Sequence, residues 1–380
     1  MSEGVWGRRR QWRLRWKGRK APPYPKSNNK CPKGGWGAIG KPPNRWQMVT
    51  MKDIARHCGV SVSTVSRVLS GNELISPDTS RKVLDAANAM GYTPDIIART
   101  LKTNRSDMIG IVFDNHLNHP FFSGIIDSVR IHAEEAGLDV LLLARVRRNG
   151  RIDYTETSLS RRMDGIVVVY ANVGSESVRK LTKGNIPVVS VDLSEPEASN
   201  VFSDYRQGTE ELTNWAVNRG HRRIAFIHGE IGYATNERLQ GFRDALKSHK
   251  LEIPDQYICP GAFNSPELCA RKAEELLSLP HPPTCILMPD DYSAVNALRL
   301  LRTKGISAPE QFSCAGYDGI PLSGMVTPRL TTFAQDADMI GKKTVELLLL
   351  GIQDGPGMTR NLTVRGKLIP GETVAALSPP

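Results

Sequence analysis

The chain has 380 residues, 40% of them hydrophobic, with six Cys and a formal net charge of +11. This length exceeds one typical domain, and the apolar share supports a sizeable buried core, which excludes a wholly disordered or fibrous chain. The charge is lopsided: residues 1–47 hold seven Arg, six Lys and one Glu, a net +12, so everything from Met48 onward sums to −1.

Residues 1–47 lack apolar periodicity, are rich in Pro and Gly, and read as disordered. They carry five of the six Trp, interleaved with Arg and Lys. Such a mixture suggests a nucleic-acid-binding arm; the blander alternative is translated leader ahead of a start at Met48 or Met51. The segment has no apolar signal-peptide region, and no later apolar run reaches the ~18 to 20 residues of a membrane span. No membrane partner is expected, and the expected compartment is the cytoplasm, in association with the nucleoid.

Met51 to Ser70 reads MKDIARHCGVSVSTVSRVLS. Its small and apolar residues fall where a helix-turn-helix needs them. Ala55 stands where two helices cross, Gly59 permits the positive φ of the turn, and Val60, Val65 and Val68 form a buried seam. An ordinary helical hairpin satisfies the same pattern, so the next positions matter more. Ser61 is placed to N-cap the second helix, which puts Val62, Ser63 and Thr64 in its first turn and Arg67 one turn on along the same face. A recognition helix reads base edges through such positions, and an arginine there suits guanine O6 and N7. Ser76 as N-cap, Pro77 at the first helical position, a Val83, Leu84, Ala87 and Met90 face, and Gly91 as stop predict a third helix.

After that helix, YTPDIIARTLKTNRSDMIGIVF makes the resemblance to the LacI/GalR family of bacterial transcription regulators specific. The likeness continues almost to the C-terminus. It implies that Pro94 to Lys102 forms a hinge helix on operator DNA, paired with that of a dimer mate, and that Leu101 wedges into the minor groove. Arg99 and Lys102 would then hold flanking phosphates, in keeping with the physics of an apolar wedge that unstacks a base step. A packed linker residue is the plainer reading of Leu101. Asp95 departs from the family's usual Asn, and its carboxylate is repelled by phosphate. From Val49 to Ser106 eight basic and five acidic side chains give only +3, so specificity must rest on groove contacts.

From Asp107 onward, β-branched runs alternate with amphipathic helical segments, the pattern of parallel sheets wound with helices on both faces. Strands are predicted at MIGIVF from Met108, LDVLLLA from Leu138, GIVVVY from Gly165, VVSVD from Val188, RIAFIHG from Arg223, CILMPD from Cys285 and FSCAGYD from Phe312. Helices are predicted over 122–136, 208–218, 236–248, 266–279, 292–305 and 338–350. Two sheets with a cleft between them follow, because one compact sheet does not accommodate so many strands. The expected fold is therefore α/β: an N-terminal three-helix helix-turn-helix domain over 48–94, a hinge over 95–106, and a two-lobed core over 107–380. The resemblance implies a periplasmic-binding-protein-like core whose chain crosses between lobes three times. Lobe 1 is expected over about 107–205 and 335–357, lobe 2 over about 206–334 and 358–375, with 374–380 a frayed tail.

Ligands of open α/β sheets bind beyond the carboxyl ends of strands. The resemblance assigns effector contacts there to Phe121 and Phe122 after the first strand, Arg238 in NERLQGF, Phe263 in GAFNSPE, and Asp318 in GYDG. Rings that cover C–H faces and charges that orient hydroxyls suit a polyol. Each has a plainer reading: Arg238 as a surface ion pair, Asp318 as a turn cap, the two phenylalanines as core. Asp290 replaces the Asn of many relatives and alters the pocket's charge, whereas Asp291 reads as a helix N-cap. The six Cys and eight His show no metal-ligand spacing, and His221 reads as structural. No catalytic or cofactor motif is present. Neither cofactor nor metal is expected. The reading is a homodimeric regulator, a repressor switched by a sugar-like molecule, with no leucine heptad past Leu350 for a tetramer. A solute-binding transport component or an enzyme on the same core are the rivals.

Overall fold

The computed structural model describes residues 49–69, 74–92, 105–114, 117–143, 147–148, 151–171, 175–193, 195–355 and 357–377. The chain divides into two compact units, Met1–Pro94 and Asp95–Pro380.

The first unit holds α1 (Met51–Cys58), α2 (Val62–Leu69) and α3 (Pro77–Ala89). Each is fixed by its own cap. Thr50 and Asp53 form a capping box at the start of α1, and Gly59 ends it in the left-handed region at φ 66°. Ser61 Oγ accepts from the Thr64 amide at 3.0 Å, and Ser76 Oγ accepts from the Thr79 amide at 3.4 Å ahead of Pro77. Ile54, Ala55, Cys58, Val65, Val68, Val83, Ala86 and Ala87 make one shared core. Leu84 is not part of it and is exposed. On α3 the buried positions run 83, 86 and 87, the i, i+3, i+4 face, and Leu84 lies about 100° round from it.

The second unit has two lobes. Lobe 1 opens with β1 (Met108–Phe113), α4 (Pro120–Glu135), β2 (Asp139–Leu143), the hairpin β3 (Arg147–Arg148) and β4 (Arg151–Ile152), α5 (Tyr154–Ser160), β5 (Gly165–Tyr170), α6 (Glu176–Thr182), β6 (Val188–Val191) and β7 (Ser199–Ser203). Lobe 2 follows with α7 (Tyr205–Asn218), β8 (Ile224–His228), α8 (Tyr233–Ser248), β9 (Ile258–Pro260), α9 (Pro266–Leu277), β10 (Cys285–Leu287), α10 (Asp291–Arg302), β11 (Ser313–Asp318), α11 (Pro321–Met325) and β12 (Thr331–Ala334). Then come α12 (Ala337–Asp354), β13 (Asn361–Val364) and β14 (Lys367–Ile369). The lobe 1 sheet runs β13-β7-β6-β5-β1-β2, all parallel. The lobe 2 sheet runs β14-β12-β11-β10-β8-β9, parallel except for the β12–β14 pair.

Strand pairing corrects the expected lobe boundaries. β13 lies beside β7 in lobe 1, so the third crossing falls between Val364 and Lys367, not near residue 358. Tyr205, expected at the end of lobe 1, opens the first helix of lobe 2. The tail is also anchored. Val374 is buried in the lobe 2 core, and the Leu377 amide donates to the Arg219 carbonyl at 2.7 Å. His221 clasps this tail: its ring nitrogens lie 2.9 Å from Thr284 Oγ1 and 3.1 Å from the Ala375 carbonyl.

Both sheets are covered on both faces, as parallel sheets require. Along β1, Ile109, Ile111 and Phe113 enter one core and Val112 the other. Along β8, Ala225 and Ile227 face α9 and α10, whereas Ile224 and Phe226 face α7 and α8. Cys58, Cys269, Cys285 and Cys314 are buried and unpaired small apolar residues. Burial pushes the Cys269 thiol up to about 12.

Candidate functional site

The first unit turns one face of α2 outward. Val62, Ser63 and Arg67 are exposed, and Thr64 is half-buried. The Ser61 hydroxyl also reaches Ser63 Oγ at 2.7 Å and Thr64 Oγ1 at 2.8 Å, so the cap holds both hydroxyls at the helix N-terminus. Val65 and Val68 face inward on the same helix, which fixes the orientation of Val62 and Arg67. Arg99, Leu101, Lys102 and Asp95 lie outside the described residues.

In the second unit the carboxyl ends of the two sheets meet. Phe202 of lobe 1 packs on Tyr233 of lobe 2 at 4.6 Å, and the Tyr205 hydroxyl donates to Asp192 at 2.7 Å. Arg238 is at the centre. It lies early in α8, buried, with Nη1 donating to the Pro289 carbonyl at 2.7 Å and Nη2 3.6 Å from Asp318 Oδ1. Its guanidinium lies 3.6 Å over the Tyr317 ring, 4.8 Å from Tyr205 and 5.5 Å from Phe263. Its Nε is buried without a partner. Phe263 reaches this point because the backbone at Gly229 has no side chain: a Cβ there would stand 2.2 Å from the ring.

Two carboxylates answer the one guanidinium. Asp318 accepts from Gln335 Nε2 at 2.6 Å and sits at φ 103°, a region that non-glycine residues rarely adopt. Burial, only partly offset by Arg238, pushes its carboxyl up to about 7. Asp192 accepts from the Tyr205 hydroxyl and from the Ser203 amide at 3.0 Å, and burial pushes it up to about 6. Across the cleft, the His119 ring stacks on Phe122 at 4.7 Å, and burial lowers its pKa while the charge of Asp290 on the opposite lobe opposes that. Among the described residues no group of His, Cys, Asp and Glu is placed to hold a metal.

Three placements depart from the sequence expectation. Phe121 belongs to the lobe 1 core with Ile125 and Val129, the i, i+4, i+8 face of α4. Phe122, one residue round, is half-buried and touches His119, Phe113 and Tyr170 instead. Asp290, not Asp291, is the N-cap of α10: it accepts from the Ser293 amide at 2.6 Å, the Ser293 hydroxyl at 2.8 Å and the Asn264 amide at 2.8 Å. The last of these bonds ties Asp290 to the turn that carries Phe263. Asp291 is buried and bonds the Ile320 amide at 2.9 Å and Thr332 Oγ1 at 2.6 Å. Arg238, Phe263 and Asp318 come together as expected. Asp192, Tyr205, His119 and Gln335 were missed, although Asp192 and Gln335 directly follow β6 and β12, where the carboxyl-end rule points.

Residues 50–95 match the family described as bacterial regulatory proteins, lacI family, and residues 213–374 match the periplasmic binding protein-like domain. The HTH-type transcriptional repressor PurR of Vibrio cholerae is 31% identical over 338 residues, covering 87% of this chain and 99% of that protein. The probable repressor ExuR of Bacillus subtilis is 31% identical over 309 residues, 80% of this chain and 91% of that one. Among solved structures, the Lac repressor dimer bound to operator and an anti-inducer superposes with a TM-score of 0.74 at 24% identity, covering 87% of this chain and all of that one. The CelR–cellobiose complex does so with a TM-score of 0.62 at 26% identity, covering 86% and 99%. Among the described residues no helix is long and apolar enough to cross a membrane. The chain belongs to the LacI family: it is a DNA-binding transcriptional repressor whose DNA affinity is switched by a small molecule.

Proposed function

We propose that the effector is a small polyhydroxylated, sugar-like molecule seated between the lobes on Arg238, Asp318, Asp192, Phe122 and Phe263. The observation that carries this reading is the buried Arg238–Asp318 pair at 3.6 Å, walled by the Tyr317, Tyr205 and Phe263 rings. Desolvated charges orient hydroxyls, and rings cover the C–H faces of a sugar. The repressor acts as a homodimer on a roughly palindromic operator, with Val62, Ser63, Thr64 and Arg67 at base edges and Arg99 and Leu101 in the hinge. Effector binding changes the angle between the lobes, and with it the spacing of two hinges. Linkage requires only that the effector bind the two states with affinities differing by about 1 to 3 kcal/mol. The known complexes of CelR with cellobiose, and of an Enterococcus faecium family member with ribose, support a sugar-like class. Thermal-shift screening of neutral sugars should raise the melting temperature of the core, and the same sugar should alter a symmetric footprint. A footprint indifferent to every sugar that binds the core would refute the switch.

A further inference from the structure

We propose that the effector carries a basic nitrogen, seated between Asp192 and Asp318. This deepens the reading of the cleft as the effector site and rests on it. The cleft is rich in acceptors and short of positive charge. Asp318 Oδ1 accepts from Gln335 at 2.6 Å and faces Arg238 at 3.6 Å, whereas Oδ2 makes no hydrogen bond among the described residues. Gln335 Oε1 is buried with no partner. Asp192 accepts from the hydroxyl of Tyr205, whose ring lies 4.8 Å from the same guanidinium, and the charges of Asp290 and Asp291 act on Asp318. Arg238 commits Nη1 to the Pro289 carbonyl and its plane to the Tyr317 face, leaving Nε as its unpartnered buried donor, and burial lowers the pKa of His119.

One guanidinium therefore serves two acids, Asp318 buried and Asp192 half-buried. Their elevated pKa values, about 6 and about 7, are the mark of carboxylates whose burial is not fully compensated. A ligand ammonium has three N–H donors and no acceptor, and it supplies the missing charge. A neutral hydroxyl supplies donors alone. A carboxylate or phosphate in the same place meets like charge and unpaired acceptors.

The test uses the full chain and three matched probes on each of two skeletons, gluco and galacto: the 2-amino sugar, the neutral sugar and the uronate. Calorimetry at pH 7.5 should rank amino sugar over neutral sugar over uronate on the skeleton that fits, with about tenfold between the first two, equivalent to about 1.4 kcal/mol. Repeating it at pH 6.5, where the amine is already protonated, in buffers of different ionisation heat should show proton release, chiefly from Asp318. In Asp318→Asn, where Asn tolerates φ 103°, both sugars should bind more weakly, and the amino sugar should lose about tenfold more than the neutral sugar, so that its preference collapses. A uronate that binds first, or a neutral sugar that equals the amine, overturns this proposal and leaves the sugar-like reading standing. Silence from all six probes overturns both.

Discussion

The two functional surfaces are built in opposite ways. On α2 the side chains proposed to meet DNA are exposed or half-buried, over a buried seam of Val65 and Val68 that holds the helix. In the cleft the two charged side chains at the centre of the proposed effector site are themselves buried: Arg238 and Asp318 are 3% and 8% exposed. A DNA reader gains from hydrated side chains that exchange water for base edges and phosphates, whereas a sensor of a small polar ligand gains from charges already stripped of water. Function and stability are therefore separable in the first unit and entangled in the second.

Replacing Arg238 should break that contrast most severely. Arg238→Ala leaves Asp318 buried without its cation and removes a nearby positive charge from half-buried Asp192, an expected loss of about 3 to 5 kcal/mol at pH 8. The loss should shrink by pH 6, where both acids take up protons. Arg238→Lys should rescue little, because an ammonium has no planar face to lie on Tyr317 and no fork to reach both Pro289 and Asp318. Chemical denaturation at the two pH values checks this, and a Lys variant as stable as the parent contradicts it. In the first unit the equivalent damage requires a core residue. Ile54 is fully buried in a core of eight side chains, so Ile54→Ala should cost about 2 to 5 kcal/mol and abolish footprinting while effector binding survives.

A surface change on α2 sharpens the comparison from the other side. Arg67→Ala should weaken operator binding by about 1 to 3 kcal/mol and relax preference at one base pair. Its effect on melting should stay within about 0.5 kcal/mol, as for surface substitutions generally. A footprint with unchanged sequence preference removes Arg67 from the reading face.

How legible each surface was follows from the same difference. The helix-turn-helix was readable almost residue by residue, because caps, the Gly59 turn and the Val65–Val68 seam are local effects with local signatures. Only Leu84 was misplaced, by a single step round α3. The strands that are long and apolar were equally plain, whereas β7, β9, β12, β13 and β14, three to five residues each, passed unnoticed. That omission moved the third lobe crossing by several residues. In the cleft, Arg238 and Asp318 were reached through family resemblance, not through pattern. Asp192 and Tyr205 are 13 residues apart in sequence and meet only because the chain crosses between lobes at Asp204. Asp290 and Asp291 are adjacent and differ in role only by which one faces the α10 amides, which no spacing rule resolves.

The smallest expected effect is a pH dependence confined to the second unit. Asp192 and Asp318 titrate at about 6 and about 7 in the folded chain, above the ordinary carboxylate value of 3.8. A raised folded pKa means that the folded state holds more protons than the unfolded state between pH 4 and pH 7, so these acids stabilise the fold most at low pH, and the ligand-free core loses that stability as pH rises through 7. A ligand that donates hydrogen bonds favours the ionised acids and restores what was lost. The ligand-induced rise in melting temperature should then be larger at pH 8 than at pH 5.5. Melting of the first unit should not follow the same curve, since Asp53 at the start of α1 is half-buried and is held low by its bonds to Thr50. Asp192→Asn and Asp318→Asn should each flatten part of the slope. A ligand shift that is equal at the two pH values assigns the acids a structural role only, and the cleft would then resemble the first unit, with its sensing groups distinct from its buried ones.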